Sequence, residues 1–209
     1  MHERIIDLYD DTASAWDKAR SPGFSPPEIP HFDAFAAALK PGASVLDIGC
    51  GAGEPVAGRL IDQGFRITGV DSSKQLIALC RARFPDHDWH VADMRRLSLG
   101  LRFDALLAWW STFHLKAEDQ RAMFPIFAAH AAPGALLMFT SGSEAGERVG
   151  EWQGEPLYHC SLAPEEYRFL LASNGFEILS YTEGEPIAEG PTVWLARQIN
   201  PASGLDGSA

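Results

Sequence analysis

The chain has 209 residues, of which 46% are hydrophobic and 22% charged, with 12 Phe and 6 Trp; that balance excludes a disordered chain and predicts one globular domain. Its 17 basic and 28 acidic residues give a formal charge of −11, with no clustered Lys and Arg, so a nucleic acid is not the expected partner. Cys50, Cys80 and Cys160 are too scattered for a disulfide framework or a zinc pair, and no uncharged apolar stretch approaches the ~18 residues of a membrane helix.

The first element, residues 1–20, reads as a polar helix with Ile5, Leu8, Tyr9 and Trp16 as its apolar side chains. The charges Glu3, Arg4, Asp7, Asp10 and Asp11 among them exclude a signal-peptide core, so a reducing cytoplasm is the expected location. The Pro-rich residues 21–27 break that helix. A short helix over 32–39 ends at Lys40-Pro41-Gly42. An alternation then begins: a strand over Ser44–Ile48, a glycine-rich turn, a helix over 55–63, a strand over 66–70, a helix over 74–84 and a short strand over 89–92. The fourth strand, 103–109, is a continuous apolar run, as expected of a strand covered on both faces. A helix over 117–131 comes next, and Pro133-Gly134 turns into a fifth strand over 135–140.

From 141 to 163 periodicity stops, which predicts a lid longer than an ordinary connection. Pro164 opens a further helix, with Glu165 and Glu166 near its positive dipole end, and Gly175 closes it. Strands over 177–183 and 192–199 finish the domain, and residues 201–209 read as a loose tail. The organisation is therefore a helical segment over 1–40, an α/β domain over 41–200 with the 141–163 insertion, and the tail. Regular alternation of strand and helix predicts a mostly parallel sheet with helices on both faces. In such sheets ligands sit beyond the carboxyl ends of the strands, where strand order reverses.

The residues after each strand therefore carry the chemistry. The first strand runs into Asp47-Ile48-Gly49-Cys50-Gly51-Ala52-Gly53-Glu54. A dinucleotide fingerprint needs its third glycine at position 54, which is Glu. Carboxylates at both ends of the turn disfavour a pyrophosphate and favour a cationic ligand such as an ammonium or sulfonium. The second strand ends in Asp71-Ser72-Ser73, ~20 residues past the loop, where an acid can accept from ribose hydroxyls; Asp before Ser-Ser is also a good helix cap. The third ends in Asp93-Met94: a carboxylate for an exocyclic amine, or a turn residue, and an apolar face for a purine.

Together these residues resemble the class I S-adenosylmethionine-dependent methyltransferases of the small-molecule type. Val45 to Gly53 matches the glycine-rich first motif, Asp71 the second-strand acid and Asp93-Met94 the adenine-contacting pair. Phe103-Asp104-Ala105-Leu106-Leu107 matches the fourth-strand motif, and Pro133-Gly134-Ala135-Leu136-Leu137 the turn into the fifth strand. The resemblance covers about residues 40–140. It implies a Rossmann-like seven-stranded sheet whose last strand is antiparallel and inserted beside the fifth. It also implies that Asp47, Gly49, Cys50, Gly51, Asp71, Ser72, Asp93, Met94 and Trp109 bind S-adenosylmethionine, which leaves as S-adenosylhomocysteine. An N-terminal helix with Tyr9, Trp16 and Arg20 would cover the cofactor, with Arg20 either pairing with its methionine carboxylate or an exposed charge.

The Asn/Asp-Pro-Pro-Tyr/Phe cluster of members that methylate nucleic-acid or protein amides is absent after the fourth strand, which points to a small-molecule acceptor. Trp110 and Phe113 are either acceptor contacts or core. His114 is either a general base, with an unperturbed pKa near 6.5, or structural. Tyr158 and His159 in the lid are candidate acceptor contacts. Residues 141–190 hold ten acids and two bases, either a solvated surface or an acidic wall favouring an amine. The expected protein is a monomeric or weakly dimeric methyltransferase, with no metal and no membrane or nucleic-acid partner. Its rivals are a cofactor-binding sensor, a non-methylating cyclase or decarboxylase of the same fold, and a nicotinamide oxidoreductase.

Overall fold

The computed structural model describes residues 4–184 and 191–199; the expected tail over 201–209 lies outside them. Seven strands form one sheet: β1 (Ser44–Ile48), β2 (Arg66–Asp71), β3 (Asp88–Val91), β4 (Phe103–Ala108), β5 (Ala131–Ser141), β8 (Phe176–Thr182) and β9 (Thr192–Gln198). Their order is β3-β2-β1-β4-β5-β9-β8. Pairings are parallel from β3 through β5, and β9 lies antiparallel between β5 and β8. The implied fold is therefore the observed one.

The pleat explains the all-apolar strands. Val45, Ala105, Leu107, Leu136 and Met138 join one core cluster with Phe32, Phe35 and Leu60. Their neighbours Leu46, Leu106, Ala108, Leu137 and Phe139 join another with Phe124, Phe127 and Trp194. Alternate side chains thus face opposite layers of helices. The first layer contains α3 (Ile29–Ala37), α4 (Val56–Asp62) and α5 (Lys74–Arg83); the second contains α6 (Ala117–His130) and α7 (Pro164–Ser173).

Three expectations change. The N-terminal helix is two helices, α1 (Ile5–Asp11) and α2 (Ala13–Arg20). They part at Thr12, whose hydroxyl donates to the Leu8 carbonyl at 2.6 Å. Pro133-Gly134 does not precede β5 but lies within it, where the register with β4 shifts between Phe103 and Ala105. Finally, the 141–163 segment is no irregular loop. It carries an antiparallel hairpin of β6 (Gly146–Trp152) and β7 (Glu155–Ser161). Gln153 and Gly154 connect them, both at positive φ (54° and 82°), the geometry that a two-residue hairpin turn needs.

The hairpin and the N-terminal helices hold each other over the sheet's carboxyl edge. Ile5, Leu157, Tyr158 and Cys160 share a buried cluster flanked by Leu8, Tyr9 and Trp152, and Trp152 Nε1 donates to Thr12 Oγ1 at 2.9 Å. Asp10 accepts from Ser73 Oγ (2.7 Å) and the Gln75 amide (3.0 Å) at the start of α5, and Asp17 pairs with Arg83 at its end. No described helix is long and apolar enough to cross a membrane.

Candidate active site

Strand order reverses between β1 and its neighbours β2 and β4, and a cleft opens there. Gly49 and Gly51, both at positive φ, form its floor with Val70, Asp71 and Ser72. Ala92, Asp93 and Met94 form a side, and Ile5, Ile6, Tyr9 and Trp16 from the N-terminal helices roof it. A Cβ on Gly49 would lie 2.4 Å from Ser111 Cβ, and one on Gly51 3.3 Å from the Trp16 indole nitrogen; only glycine permits this close approach. Asp71 accepts from the Gly51 amide (3.0 Å) and the Ser73 amide (2.9 Å). Burial pushes its carboxyl up while those N–H groups oppose the shift. Beneath the turn, Asp47 is 2% exposed, and its Oδ2 has no hydrogen-bond partner. Burial, and then the Asp71 carboxylate, push Asp47 up to about 7. An unpaired carboxylate under a glycine turn fits a ligand that brings positive charge.

A second cavity of about 580 Å³ lies between the ends of β4 and β5, the turn at Thr112–His114 and the hairpin. That volume falls within the ~300–1,000 Å³ of small-molecule sites. Tyr9, Trp16, Trp110 and His114 line both spaces and so form the partition between them. Arg20, Glu144 and Arg148 are the charged residues on the second cavity's wall. Glu147, Glu151 and Glu155 are exposed on the hairpin and line neither cavity. Among the described residues, the acids of 141–190 therefore make no acidic wall.

Within the partition, His114 Nε2 lies 2.8 Å from the Tyr9 hydroxyl and Nδ1 2.9 Å from the Tyr158 carbonyl. A carbonyl only accepts, so Nδ1 carries the proton and Nε2 accepts from Tyr9. Burial lowers the imidazole pKa to about 4; the carbonyl's pull upward is weaker. Burial also raises the Tyr9 phenol, so the pair is neutral near pH 7. The free imidazole titrates near 6.5, so the unfolded chain binds more protons between 6.5 and about 4. Stability contributed by neutral His114 is full above that window and falls with pH through it. Urea titrations across pH 4–7 should show this decline, with a shallower slope for His114→Asn; parallel slopes would contradict it.

The structure brings together Gly49, Gly51, Asp71, Ser72, Asp93, Met94, Trp110 and His114 around the cleft, while Phe113 and His159 line the second cavity. Asp93 reaches the cleft with both oxygens engaged by Arg95. Asp47 and Cys50 lie behind the lining. Arg20 stands in the second cavity instead of the cleft and lies 3.6 Å from Glu28. Trp109 is a correction: it continues the parity of Ala105 and Leu107, so its ring packs against Phe32 at 4.6 Å on the α3 side, away from the cleft. Tyr158 is another. Its ring belongs to the cluster under the hairpin, and only its carbonyl serves the site.

Sequence reasoning missed Ser111, which donates to the Ile48 carbonyl at 2.7 Å and packs on Gly49. It also missed the Tyr9–His114 bond, which no local spacing encodes across 105 positions. Glu28 was missed too, although an acid among Pro-rich residues shortly before an apolar helix was a visible signal.

The inserted antiparallel β9, the switch-point cleft and the glycine turn define the class I methyltransferase fold. A model of the methyltransferase-domain family matches residues 27–181, and the chain belongs to that family. It is 36% identical over 98 residues to the dTDP-3-amino-3,6-dideoxy-α-D-glucopyranose N,N-dimethyltransferase of Streptomyces fradiae, covering 46% of this chain and 38% of that protein. The chain thus spans about two fifths of the length of that relative. The S-adenosylmethionine-bound amino pentose methyltransferase of Micromonospora echinaspora superposes with a TM-score of 0.69 at 22% identity, over 88% of this chain and 96% of the other. Magnesium protoporphyrin IX methyltransferase of Synechocystis PCC 6803, with S-adenosylhomocysteine bound, gives 0.74 at 17% identity over 94% and 99%. These two likenesses concern the fold.

Proposed function

We propose that the protein transfers a methyl group from S-adenosylmethionine to a small-molecule acceptor. The observation that carries this reading is the shared wall: a cleft suited to a cationic nucleoside and a small-molecule cavity meet at Tyr9, Trp16, Trp110 and His114. When bound, the cofactor supplies an electrophilic methyl on a positively charged sulfur. Gly49 and Gly51 would let it approach the backbone, and Asp71 would accept from its ribose. Asp47 would balance its charge from beneath, and Ala92 and Met94 would face its base. In this reading residues 1–40 cap the site and 41–200 form the methyltransferase domain, acting in the cytoplasm as a monomer or weak dimer. The charge of −11 supports an acceptor other than nucleic acid.

The chain's own part in the chemistry is orientation. Tyr9 donates to His114, so the lone pairs of its Oη are left to accept an N–H or O–H from the acceptor. That contact would aim the acceptor's nucleophilic lone pair at the cleft. His114 already accepts from Tyr9 and stays neutral, so it orients the phenol instead of taking the acceptor's proton. Alignment is sufficient for displacement at a good leaving group.

Calorimetry with S-adenosylmethionine and NADH tests the assignment. The sulfonium cofactor should bind and NADH should not. Asp71→Ala should cost roughly 1–3 kcal/mol of that binding, the worth of hydrogen bonds to a charged acceptor. Tight NADH binding without the sulfonium cofactor would overturn the reading. Release of S-adenosylhomocysteine with any member of a panel of amines, phenols, thiols and carboxylates would exclude a pure sensor.

A further inference from the structure

Glu28 is 2% exposed and lines neither cavity, yet its carboxylate collects donors from three segments. Oε1 accepts from the indole nitrogens of Trp109 (3.0 Å) and Trp110 (2.7 Å). Oε2 accepts from the Ser25 amide (2.7 Å) and hydroxyl (2.8 Å). Arg20 lies 3.6 Å away. Burial pushes the carboxyl up, but the indole and Ser25 donors outweigh it and hold it below the usual range. A buried carboxylate persists only when so fully satisfied.

Trp110 is held in a costly shape. Its φ is +51°, a conformation bulky residues keep only where the surroundings over-determine it, and such positions cluster at functional sites. Three restraints act here: its amide donates to Thr140 Oγ1 at 2.9 Å, its indole donates to Glu28, and its ring stands edge-on between Trp109 and Phe113. The strained, triply held ring is also a shared wall of the two cavities.

Resting on the methyl-transfer reading, we propose that Glu28 is a positioning residue: it fixes the Trp110 indole as the rigid wall against which the acceptor aligns, while touching neither ligand. The chemistry is one of counting acceptors. A glutamine at 28 keeps the shape but offers one oxygen and an NH₂ group. Its oxygen can stay on the two indoles only if the NH₂ faces the Ser25 amide, donor against donor, and can serve Ser25 only by leaving the indoles. Either way the side chain is no longer held as the carboxylate is, and its grip on Trp110 loosens.

The test uses the full chain labelled with 5-fluorotryptophan, the Trp110 fluorine line being assigned by Trp110→Phe. Glu28→Gln should shift or broaden the Trp110 and Trp109 lines and leave Trp152 and Trp194 unmoved. S-adenosylhomocysteine affinity should stay within about threefold of wild type. With the best acceptor of the panel, kcat/KM should fall about 10–100-fold, the usual effect of slight misalignment. In a Trp110→Phe background Glu28→Gln should then add nothing, because the restrained group is gone. An unmoved Trp110 line, wild-type acceptor kinetics, or an undiminished effect in the Trp110→Phe background would each overturn the proposal. If Glu28→Gln fails to fold, Glu28→Asp, which withdraws the carboxylate but keeps its charge, is read by the same criteria. A wild-type protein that binds neither S-adenosylmethionine nor S-adenosylhomocysteine sinks the function reading instead, and the fluorine lines still report whether Glu28 holds Trp110.

Discussion

Gly49→Val should weaken cofactor binding about 100-fold and lower the melting temperature. At φ +79° any side chain adds strain, roughly 1–2 kcal/mol in the left-handed region. The new Cβ also meets Ser111 Cβ at 2.4 Å and Met94 Cε at 3.2 Å. Ser111 cannot retreat freely, because its hydroxyl is tied to the Ile48 carbonyl. Relieving such overlap typically costs a further ~1–3 kcal/mol. At about 2–4 °C per kcal/mol for a chain of this size, the loss should be roughly 4–20 °C. The glycine turn must then move, and a displacement near 1 Å is worth about 10² in a positioned site. Scanning calorimetry with and without S-adenosylmethionine reads both quantities. A variant that melts lower but binds normally would place the cofactor away from Gly49.

Tyr9→Phe and His114→Ala should each reduce turnover by about 10² while leaving cofactor affinity within a few-fold. Phenylalanine keeps the ring in the roof and deletes only the Oη that would hold the acceptor. Alanine at 114 keeps Oη but removes the group that fixes its orientation. Because one contact is lost either way, the double variant should be little slower than the slower single one. The pH profile separates orientation from proton abstraction. With an imidazole pKa of about 4, His114 stays neutral between pH 6 and 9. The profile in that range should therefore follow the acceptor's own ionisation and keep its shape in His114→Asn. A limb near pH 6.5 that vanishes in the variant would restore His114 as the base.

The sheet was legible because its signal is local. The parity of apolar residues marks each strand, and Gly49, Asp71 and Asp93 mark the strand ends where the cleft forms. The same parity, carried one residue past Ala108, would have sent Trp109 to the α3 side. The hairpin was hidden because β6 is exposed over nearly its whole length, so no buried face marked its period. Its turn, Gln153-Gly154, was the available clue. The partition was hidden for a different reason. Tyr9, His114 and the Tyr158 carbonyl come from three distant segments, and only the docking of the N-terminal helices on the sheet brings them together.

That docking has a kinetic meaning. The roof of the cleft is made of α1 and α2, fastened by Asp10 to Ser73 and Gln75, by Asp17 to Arg83 and by Thr12 to Trp152. These fastenings, with the small apolar clusters around Ile5 and Ala13, are slight beside the extensive apolar packing of the sheet, so this unit should open well before the domain unfolds. A cofactor beneath it should then leave no faster than the clasp lets go. Exchange of the α1 and α2 amides and release of S-adenosylhomocysteine would then share one opening event. Salt, which screens the partly exposed Asp17–Arg83 pair, would quicken both while the protected amides of β1 and β4 keep their pace.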